Sequence, residues 1–472
     1  MGWAALLALG VGFMAAPQVE AGKLDRKLKK QIGRALGAVN ALPADATGDE
    51  EAVTVAVDTI NQIAAADCDK AAELLIKVGL GATFNSPSAE VKIFEACKSG
   101  LSSMTDKGAR KTILKWMKKR NWKVQMVLVE VVKPWAGEDE AQFALHDMVK
   151  DKKTDPRVVA EVARTLAACK DKRGVKPLIE AFGLWKKVGG VTFKAIADAL
   201  YEITGKRFTE VMDWESWWDP RETTFDPQTA PKDEVGGTVE RNAPKLFGSE
   251  VVSKRVVVII DVSGSMAIKD PGEEKDEDGE VEEGEGTQER NKPGAKPKPA
   301  TPPYNGPSLK PGDKDYNKLP DSRMRIERAK RQLRRLVNAF PGDTFFNIVR
   351  FSTDSAAWKP KKILPANPGN KRDSLKFIEN LKANGVTAAY KALVTAFECS
   401  EADTIYFISD GSPTDDQGQP LQQAAIQQLL DKVKQLNKFR KVKVNTIGLK
   451  GSSRSFMSAL ADLTGGEFKQ VD

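Results

Sequence analysis

The sequence predicts a multidomain protein in which an N-terminal α-solenoid precedes a C-terminal α/β domain with a doubly wound, largely parallel sheet. Residues 23–204 carry apolar side chains almost entirely at helical spacing, and the helical segments recur at a nearly constant interval. Beyond residue 251, apolar strand-like runs alternate with helical segments, as in parallel sheets. Oxygen-bearing side chains directly follow two of these strands, where open α/β sheets bind ligands.

Residues 1–21 have the composition of a secretory signal peptide. An apolar run is followed by small residues, and we expect cleavage after Ala21. No Lys or Arg precedes the apolar run, so retention as a membrane anchor is the alternative. No other segment is apolar over the length of a membrane-spanning helix. We therefore expect an exported protein that is periplasmic, part of the cell envelope or secreted, with no transmembrane segment apart from the signal.

The predicted helical domain spans residues 23–218. Helices begin at four aspartates that lie 37, 33 and 32 residues apart: Asp69, Asp106, Asp139 and Asp171. This interval is typical of helical hairpins stacked in a solenoid. The last unit, residues 155–182, resembles a HEAT repeat, and the earlier units resemble it more weakly. The curved face of such a stack is either a second protein-binding surface or a scaffold with no ligand of its own.

A tryptophan-rich segment ends the helical domain. It contains Trp214, Trp217 and Trp218, which cannot all face water cheaply, so we expect it to cap the solenoid. Residues 219–250, rich in Pro, Asp, Glu, Thr and Gly, predict a linker. The sheet domain follows at 251–472, and its alternating strands and helices indicate a doubly wound, Rossmann-like arrangement.

Five side chains with oxygen atoms form the candidate site of the sheet domain. The first predicted strand ends in Asp261, and Ser263 and Ser265 follow it; the other two are Thr387 and Asp410. Thr387 lies in a loop before a helix, and Asp410 ends a second apolar strand. Because none of these ligands is nitrogen or sulfur, the set suits Mg²⁺, with Mn²⁺ or Ca²⁺ as alternatives, rather than zinc or copper.

The order Asp-x-Ser-x-Ser, a later Thr and a later Asp-Gly resembles the metal-ion-dependent adhesion site (MIDAS) of von Willebrand factor type A (VWA) domains. The resemblance implies a six-stranded, mostly parallel sheet with helices on both faces. It further implies that Ser263, Ser265 and Thr387 bind the ion directly, and that Asp261 and Asp410 bind it directly or through water. Val386 and Ala388 replace the usual Gly and Asn around the threonine, so the loop geometry is expected to differ.

The composition of this site favours binding over catalysis. Two carboxylates roughly balance a divalent charge, and one coordination position remains for an Asp or Glu of a protein partner. Metal-assisted hydrolysis needs a general base, and the only histidine, His146, is far away in sequence. We therefore expect a non-enzymatic adhesion or scaffold protein. The alternatives are a non-catalytic, metal-binding subunit of an ATPase, chelatase-like or protease complex, and a purely structural envelope protein.

Charge and cysteine content add two further expectations. The net charge is +8, and a basic segment at 107–123 could bind a polyanion, but we interpret it as a solvated helix face and expect no nucleic-acid partner. The four cysteines, Cys68, Cys97, Cys169 and Cys399, form no paired metal motif. We expect free thiols, with one disulfide among the first three as the alternative.

An insertion at 268–321 separates the first site motif from the next predicted helix. Its stretch from Asp270 to Glu289 holds eleven acidic side chains, and a Lys- and Pro-rich stretch follows, so the composition predicts disorder. One hypothesis is that the tethered carboxylates compete with a partner for the open coordination position. The alternative is a solvated insertion without a role.

Overall fold

The computed structural model describes residues 26–43, 46, 49–230, 243–271 and 306–471. The chain divides into two compact units, residues 1–135 and 136–472. The predicted signal peptide at 1–21 and its cleavage point lie outside the described residues. The same holds for the central part of the predicted linker and for the acidic body of the predicted insertion.

The described part of the first unit is helical. Its helices are α1 (Arg26–Asn40), α2 (Glu51–Ala64), α3 (Asp69–Leu74), α4 (Pro87–Ser102), α5 (Lys107–Met117) and α6 (Trp122–Val132), with a π-helical turn at Leu75–Leu80 after α3. Helices two apart along the chain pack together, as α2 does with α4 and α4 with α6. The side chains of Ser86, Asp106 and Asn121 accept hydrogen bonds from the first turns of α4, α5 and α6, which fixes where these helices begin.

The second unit opens with further helices. They are α7 (Asp139–Lys150), α8 (Pro156–Cys169), α9 (Val175–Lys186), α10 (Gly190–Thr204) and α11 (Val211–Trp218). Trp214 of α11 is buried and meets Phe182 of α9 edge-on, with ring centroids 6.3 Å apart. The helical N-terminal region is thus confirmed, whereas the solenoid arrangement stays a prediction. No described helix is both long and apolar enough to cross a bilayer.

A seven-stranded, mostly parallel sheet and a separate two-stranded sheet follow in the second unit. The strands are β1 (Lys245–Leu246), β2 (Ser249–Glu250), β3 (Arg255–Asp261), β4 (Phe345–Phe351), β5 (Ser355–Ala357), β6 (Leu364–Pro365), β7 (Thr404–Ser409), β8 (Lys443–Gly448) and β9 (Phe468–Gln470). The strand order of the larger sheet is β5-β4-β3-β7-β8-β9, with β6 also paired to β4, and β1 and β2 form the smaller sheet. Only β5 and β6 run antiparallel to their neighbour β4. The described sheet therefore has seven strands, one more than the resemblance implied.

Helices cover both faces of the sheet. They are α12 (Arg325–Ala339), α13 (Pro368–Glu379), α14 (Ala389–Phe397), α15 (Gln423–Asn437) and α16 (Arg454–Thr464). Val258 and Ile260 of β3 pack with α12 and α13 on one face, and Val257 and Ile259 pack with α14 to α16 on the other. The uninterrupted apolar run of β3 follows from this burial on both faces, and the predicted doubly wound domain is confirmed.

The predicted linker at 219–250 is wrong at its C-terminal end. The strands β1 and β2 pair as an antiparallel hairpin, and Phe247 at its turn is fully buried. The Phe247 amide donates to Gln332 Oε1 of α12 at 3.1 Å, and the Tyr406 hydroxyl donates to the Glu250 carbonyl at 3.2 Å. Two-residue strands are too short to produce a period, so the sequence pattern missed them.

The predicted disordered insertion at 268–321 is also too long, because its described ends are folded. Lys269 is 2% exposed and pairs with Leu309 through main-chain hydrogen bonds in both directions. Its ammonium donates to the Leu319 carbonyl and forms an ion pair with Asp321, each at 2.8 Å. A lysine tolerates this burial only because its charge is satisfied. The polar sequence around Lys269 did not predict that this side chain would be buried.

All four cysteines carry free thiols in the structure. Cys68, Cys97 and Cys399 are buried. Burial raises the pKa of the Cys97 thiol to about 12, so the group is not a reactive thiolate at neutral pH.

Replacing Phe247 by Ala should destabilise the sheet domain by about 3–5 kcal/mol, because a fully buried aromatic ring leaves a cavity. Urea denaturation followed through hydrogen-exchange protection of β3 measures this unit specifically. The matched control is Phe143→Ala, which removes a ring that is 68% exposed on α7. Equal stability of the two variants would show that the hairpin is peripheral to the fold.

Candidate metal centre

The five predicted site residues meet at the carboxyl edge of β3 and β7. These strands are parallel neighbours, and Ile260 pairs with Ile408. The register therefore brings the end of β3, at Asp261, beside the end of β7, where Asp410 follows. Both carboxylates are almost completely buried. This juxtaposition follows from the strand order, because the carboxyl ends of parallel strands share one edge.

Hydrogen bonds made by the backbone amide and hydroxyl of Ser263 and by the hydroxyl of Ser265 link the two carboxylates. One oxygen of Asp261 accepts from the Ser263 amide at 2.7 Å, and the other accepts from the Ser409 hydroxyl at 2.6 Å. The hydroxyl oxygens of Ser263 and Ser265 are 3.1 Å apart, and Ser265 donates to Asp410 Oδ1 at 2.7 Å. Four of the five predicted site residues, Asp261, Ser263, Ser265 and Asp410, are thus linked one to the next by hydrogen bonds.

Thr387 borders the same group of atoms. A Cβ atom built on Gly411 would lie 3.3 Å from the Thr387 hydroxyl oxygen and 3.9 Å from that of Ser265, so both hydroxyls flank this glycine. The Thr387 amide donates to the Thr414 hydroxyl at 3.0 Å. The Gly264 amide donates to the Gly385 carbonyl at 2.9 Å. This bond connects the loop that holds Thr387, the threonine loop, to the segment that holds Ser263 and Ser265.

Glycine is required in the threonine loop at Gly385. Its φ is +83°, a conformation that disfavours other residues. A Cβ atom there would also come within 2.6 Å of the Thr353 hydroxyl oxygen. The Ala388 amide donates to the Ser352 carbonyl at 3.0 Å, so the residue that replaces the family's asparagine is fixed through its backbone.

The donor set fits a hard divalent cation. Oxygen atoms on adjacent corners of an octahedral Mg²⁺ site are about 3 Å apart, given Mg–O distances of about 2.0–2.1 Å. The separations of 2.7 and 3.1 Å along Ser263, Ser265 and Asp410 match this spacing. Within the described ranges, no three His, Cys, Asp or Glu side chains gather as a metal cluster. An ion at this edge would need hydroxyl oxygens beside the two carboxylates, a donor set that suits Mg²⁺ or Mn²⁺ better than zinc.

Burial of two carboxylates creates an electrostatic demand for a cation. The pKa of Asp261 is raised to about 7, mainly by burial and next by the charge of Asp410, although hydrogen bonds from Ser409 and Ser263 oppose the shift. Burial also raises the pKa of Asp410, while Arg325 opposes that shift. An ion placed between the two groups would stabilise both ionised forms.

Sequence reasoning missed Arg325 and Asp270. The Arg325 guanidinium donates from Nη1 to Asp410 Oδ2 at 2.7 Å. From Nε and Nη2 it donates to the two oxygens of Asp270, at 2.9 and 3.0 Å. Asp270 belongs to the acidic run that the composition assigned to disorder, yet it is only 1% exposed. The available signal was an arginine in the first turn of a helix, where a cation opposes the helix dipole.

Comparison with known proteins places a familiar domain in the C-terminal region. Residues 321–469 match the family model of the von Willebrand factor type A domain. The human von Willebrand factor A domain-containing protein 3A is 27% identical over 126 residues, which cover 26% of this chain and 10% of that protein. Protein 3B, also human, is 30% identical over 126 residues, with coverage of 26% and 9%. The match spans about a tenth of the length of these relatives.

A solved structure, the von Willebrand factor type A protein from Catenulispora acidiphila, is 17% identical to the chain. The similarity covers 47% of this chain and 40% of that one, with a TM-score of 0.31. The segment matched by the family model begins at residue 321, where the predicted insertion ends, so Asp261, Ser263 and Ser265 precede it. The pairing of β3 with β4 and β7 joins these residues to the matched segment.

In the metal-free protein, thermal stability should decrease as the pH rises through about 7. The folded state holds a proton on Asp261 that the unfolded chain releases near pH 4, so this contribution is complete below about pH 4 and disappears above the raised pKa. Melting temperatures in EDTA between about pH 5 and about pH 8 test this expectation. Asp261→Asn should have a flatter profile, and identical slopes for both proteins would contradict it.

Proposed function

We propose that this chain, whose residues 321–469 form a von Willebrand factor type A domain, is a non-enzymatic protein that captures a protein partner through a divalent cation. The observation that carries the proposal is the convergence of five oxygen-bearing side chains at one sheet edge, where the two oxygen–oxygen separations along Ser263, Ser265 and Asp410 suit an octahedral ion. A VWA domain by itself suggests an interaction or scaffold role, and the cation makes that role specific.

The roles of the side chains follow from their positions. Ser263, Ser265 and Thr387 would hold Mg²⁺, or Mn²⁺ or Ca²⁺ in its place, through neutral oxygens. Asp261 and Asp410 would supply the negative charge, directly or through water. The bound ion offers a coordination position to an Asp or Glu of the partner. The amide of Ser263 and the hydroxyl of Ser409 keep the Asp261 carboxylate in a fixed orientation before any ion arrives.

The described side chains around the two carboxylates fit a binding role. His146, the only histidine of the chain, lies on α7 in the helical region. Burial, assisted by Lys150 and Arg173, lowers its pKa. The described residues that surround the two carboxylates are hydroxyl-bearing side chains and an arginine whose charge is paired. None of these groups is suited to take a proton from water at neutral pH.

The helical region is proposed as a second protein-binding surface. Phe143 on α7 and Met212 on α11 are 68% and 75% exposed, and apolar side chains of this size act as anchors when interfaces bury them. We place this activity outside the cytoplasm, in the periplasm, the envelope or the medium, on the strength of the apolar segment at 1–21. No nucleic-acid partner is part of the proposal.

Asp261→Ala should weaken Mn²⁺ or Mg²⁺ binding at least tenfold, since it removes one of two carboxylates from the site, and should abolish Mg²⁺-dependent capture of proteins from an envelope extract. Calorimetry on the full chain measures ion binding, and capture in Mg²⁺ is compared with capture in EDTA. The matched control is Asp416→Asn, which alters an exposed aspartate of the loop after β7 that pairs with Lys391 at 2.5 Å.

Two results would contradict the proposed function. One is a wild-type chain that takes up no Mg²⁺, Mn²⁺ or Ca²⁺ at millimolar concentrations. The other is capture of the same proteins, in the same amounts, by wild type in EDTA and by Asp261→Ala. The second result would place partner binding elsewhere on the chain.

A further inference from the structure

Arg325 is a buried cation in direct contact with a proposed metal ligand. It is the first residue of α12, where the helix dipole disfavours a positive charge, so its side chain depends on carboxylates for stability. Its amide donates to the Ile268 carbonyl at 3.1 Å. The backbone of Gly451, with φ of +96°, closes over the guanidinium: a Cβ atom there would lie 3.3 Å from Arg325 Nη1. The arginine therefore has little freedom to leave.

Asp270 fixes the direction of the guanidinium. It accepts two hydrogen bonds from Arg325 in a fork arrangement, which is the strongest and most directional form of this ion pair. It also accepts from the Ser308 hydroxyl at 2.8 Å, and its amide donates to the Arg323 carbonyl at 3.2 Å. With two nitrogens held by Asp270, the remaining Nη1 faces Asp410.

Asp410 consequently divides its charge between two directions. Its Oδ1 faces Ser265 and the candidate ion position, whereas its Oδ2 faces Arg325. An ion bound by Asp410 would lie near a guanidinium of the same sign in a buried environment, where charge repulsion is weakly screened. Because Arg325 already neutralises part of the charge on Asp410, a divalent ion gains less binding free energy from that carboxylate.

We propose that Arg325, oriented by Asp270, is a positioning residue that competes with the divalent ion for the Asp410 carboxylate. It offsets part of the carboxylate charge when no ion is bound and raises the ion concentration needed to fill the site. This inference rests on the proposed function and adds a regulating residue to the same site.

The charge count also concerns the partner. With an ion bound, the carboxylates of Asp261, Asp270 and Asp410 face the ion's two positive charges, the charge of Arg325 and that of Arg328, which lies 3.6 Å from Asp270. Without Arg325 the same edge would carry one positive charge fewer and would attract an incoming Asp or Glu less strongly. Arg325 thus weakens binding of the ion but favours binding of the partner's carboxylate to that ion.

Titration of the full chain with Mn²⁺ alone, followed by electron paramagnetic resonance, tests the competition. Arg325→Gln should tighten the Mn²⁺ dissociation constant tenfold or more, because it removes a positive charge beside Asp410. Arg325→Lys keeps the charge and should remain within a few-fold of wild type. The matched control is Arg328→Gln. Arg328 lies on the same helix as Arg325, and its Nη1 is 3.6 Å from Asp270 Oδ2; in the described contacts it pairs with Asp270 rather than with Asp410.

Arg325→Gln also leaves the buried Asp270 carboxylate without its bidentate partner, and such a group is strongly destabilising. The double variant Asp270→Asn with Arg325→Gln removes both charges and is measured alongside. It should also bind Mn²⁺ more tightly than wild type, because the removed cation contacts Asp410 and the removed anion does not.

The outcomes separate this inference from the proposed function. If wild type binds Mn²⁺ but neither Arg325→Gln nor the double variant binds it more tightly than Arg328→Gln does, the competition is wrong and the metal site stands. If Arg325→Lys tightens binding as much as Arg325→Gln, charge is not the cause and the inference is also overturned. If no variant and no wild-type sample binds the ion, both fail together.

Discussion

Two carboxylates, Asp261 and Asp410, are buried side by side at the end of adjacent parallel strands, and the rest of the site is arranged around that constraint. Unpaired buried charge is among the most unfavourable features a fold can contain, so each carboxylate must be hydrogen-bonded, protonated or paired with a cation. Asp261 has a backbone amide and a hydroxyl, and its pKa is raised to about 7. Asp410 has a hydroxyl and a guanidinium. The two buried carboxylates are thus stabilised in different ways, Asp261 by hydrogen bonds and protonation and Asp410 by a hydrogen bond and an ion pair.

This difference explains why the edge is structured before an ion binds. The hydrogen bonds from Ser263 and Ser265 orient oxygen atoms at distances that suit an octahedral ion, while Arg325 removes part of the charge that would otherwise push the carboxylates apart. A site organised in this way loses little conformational entropy on binding. Under the proposed function, the affinity of this site for an ion would be set by charge balance rather than by folding of the loops.

The sequence was sufficient for the features that depend on local pattern and chain order. The apolar run of β3, its terminal aspartate and the hydroxyls that follow predicted the first half of the site, and a second apolar strand before Asp410 predicted the other. What could not be predicted depends on contacts across long separations in sequence. Arg325 and Asp270 are unremarkable in the sequence, because one lies in a basic helix and the other begins an acidic run. The β1–β2 hairpin escaped notice because only Leu246 and Phe247 are buried there in an otherwise polar stretch.

The folded ends of the insertion link it physically to the site. Asp270 closes one end, Ser308 donates to Asp270 from the other, and both are connected to Asp410 through a single arginine. A long insertion at this position is therefore compatible with an ordered edge, because its ends are held by buried polar contacts. The hypothesis that its acidic body competes for the ion concerns residues outside the described part of the chain, whereas the arginine competition stands on described contacts.

The most direct measurement is a crystal of the full chain grown with Mn²⁺ and recorded at a wavelength where manganese scatters anomalously. The account predicts a peak at the carboxyl edge of β3 and β7, within direct coordination distance of the hydroxyl oxygens of Ser263 and Ser265. An edge with no such peak in crystals that contain Mn²⁺, with Arg325 still bound to Asp410, would contradict it.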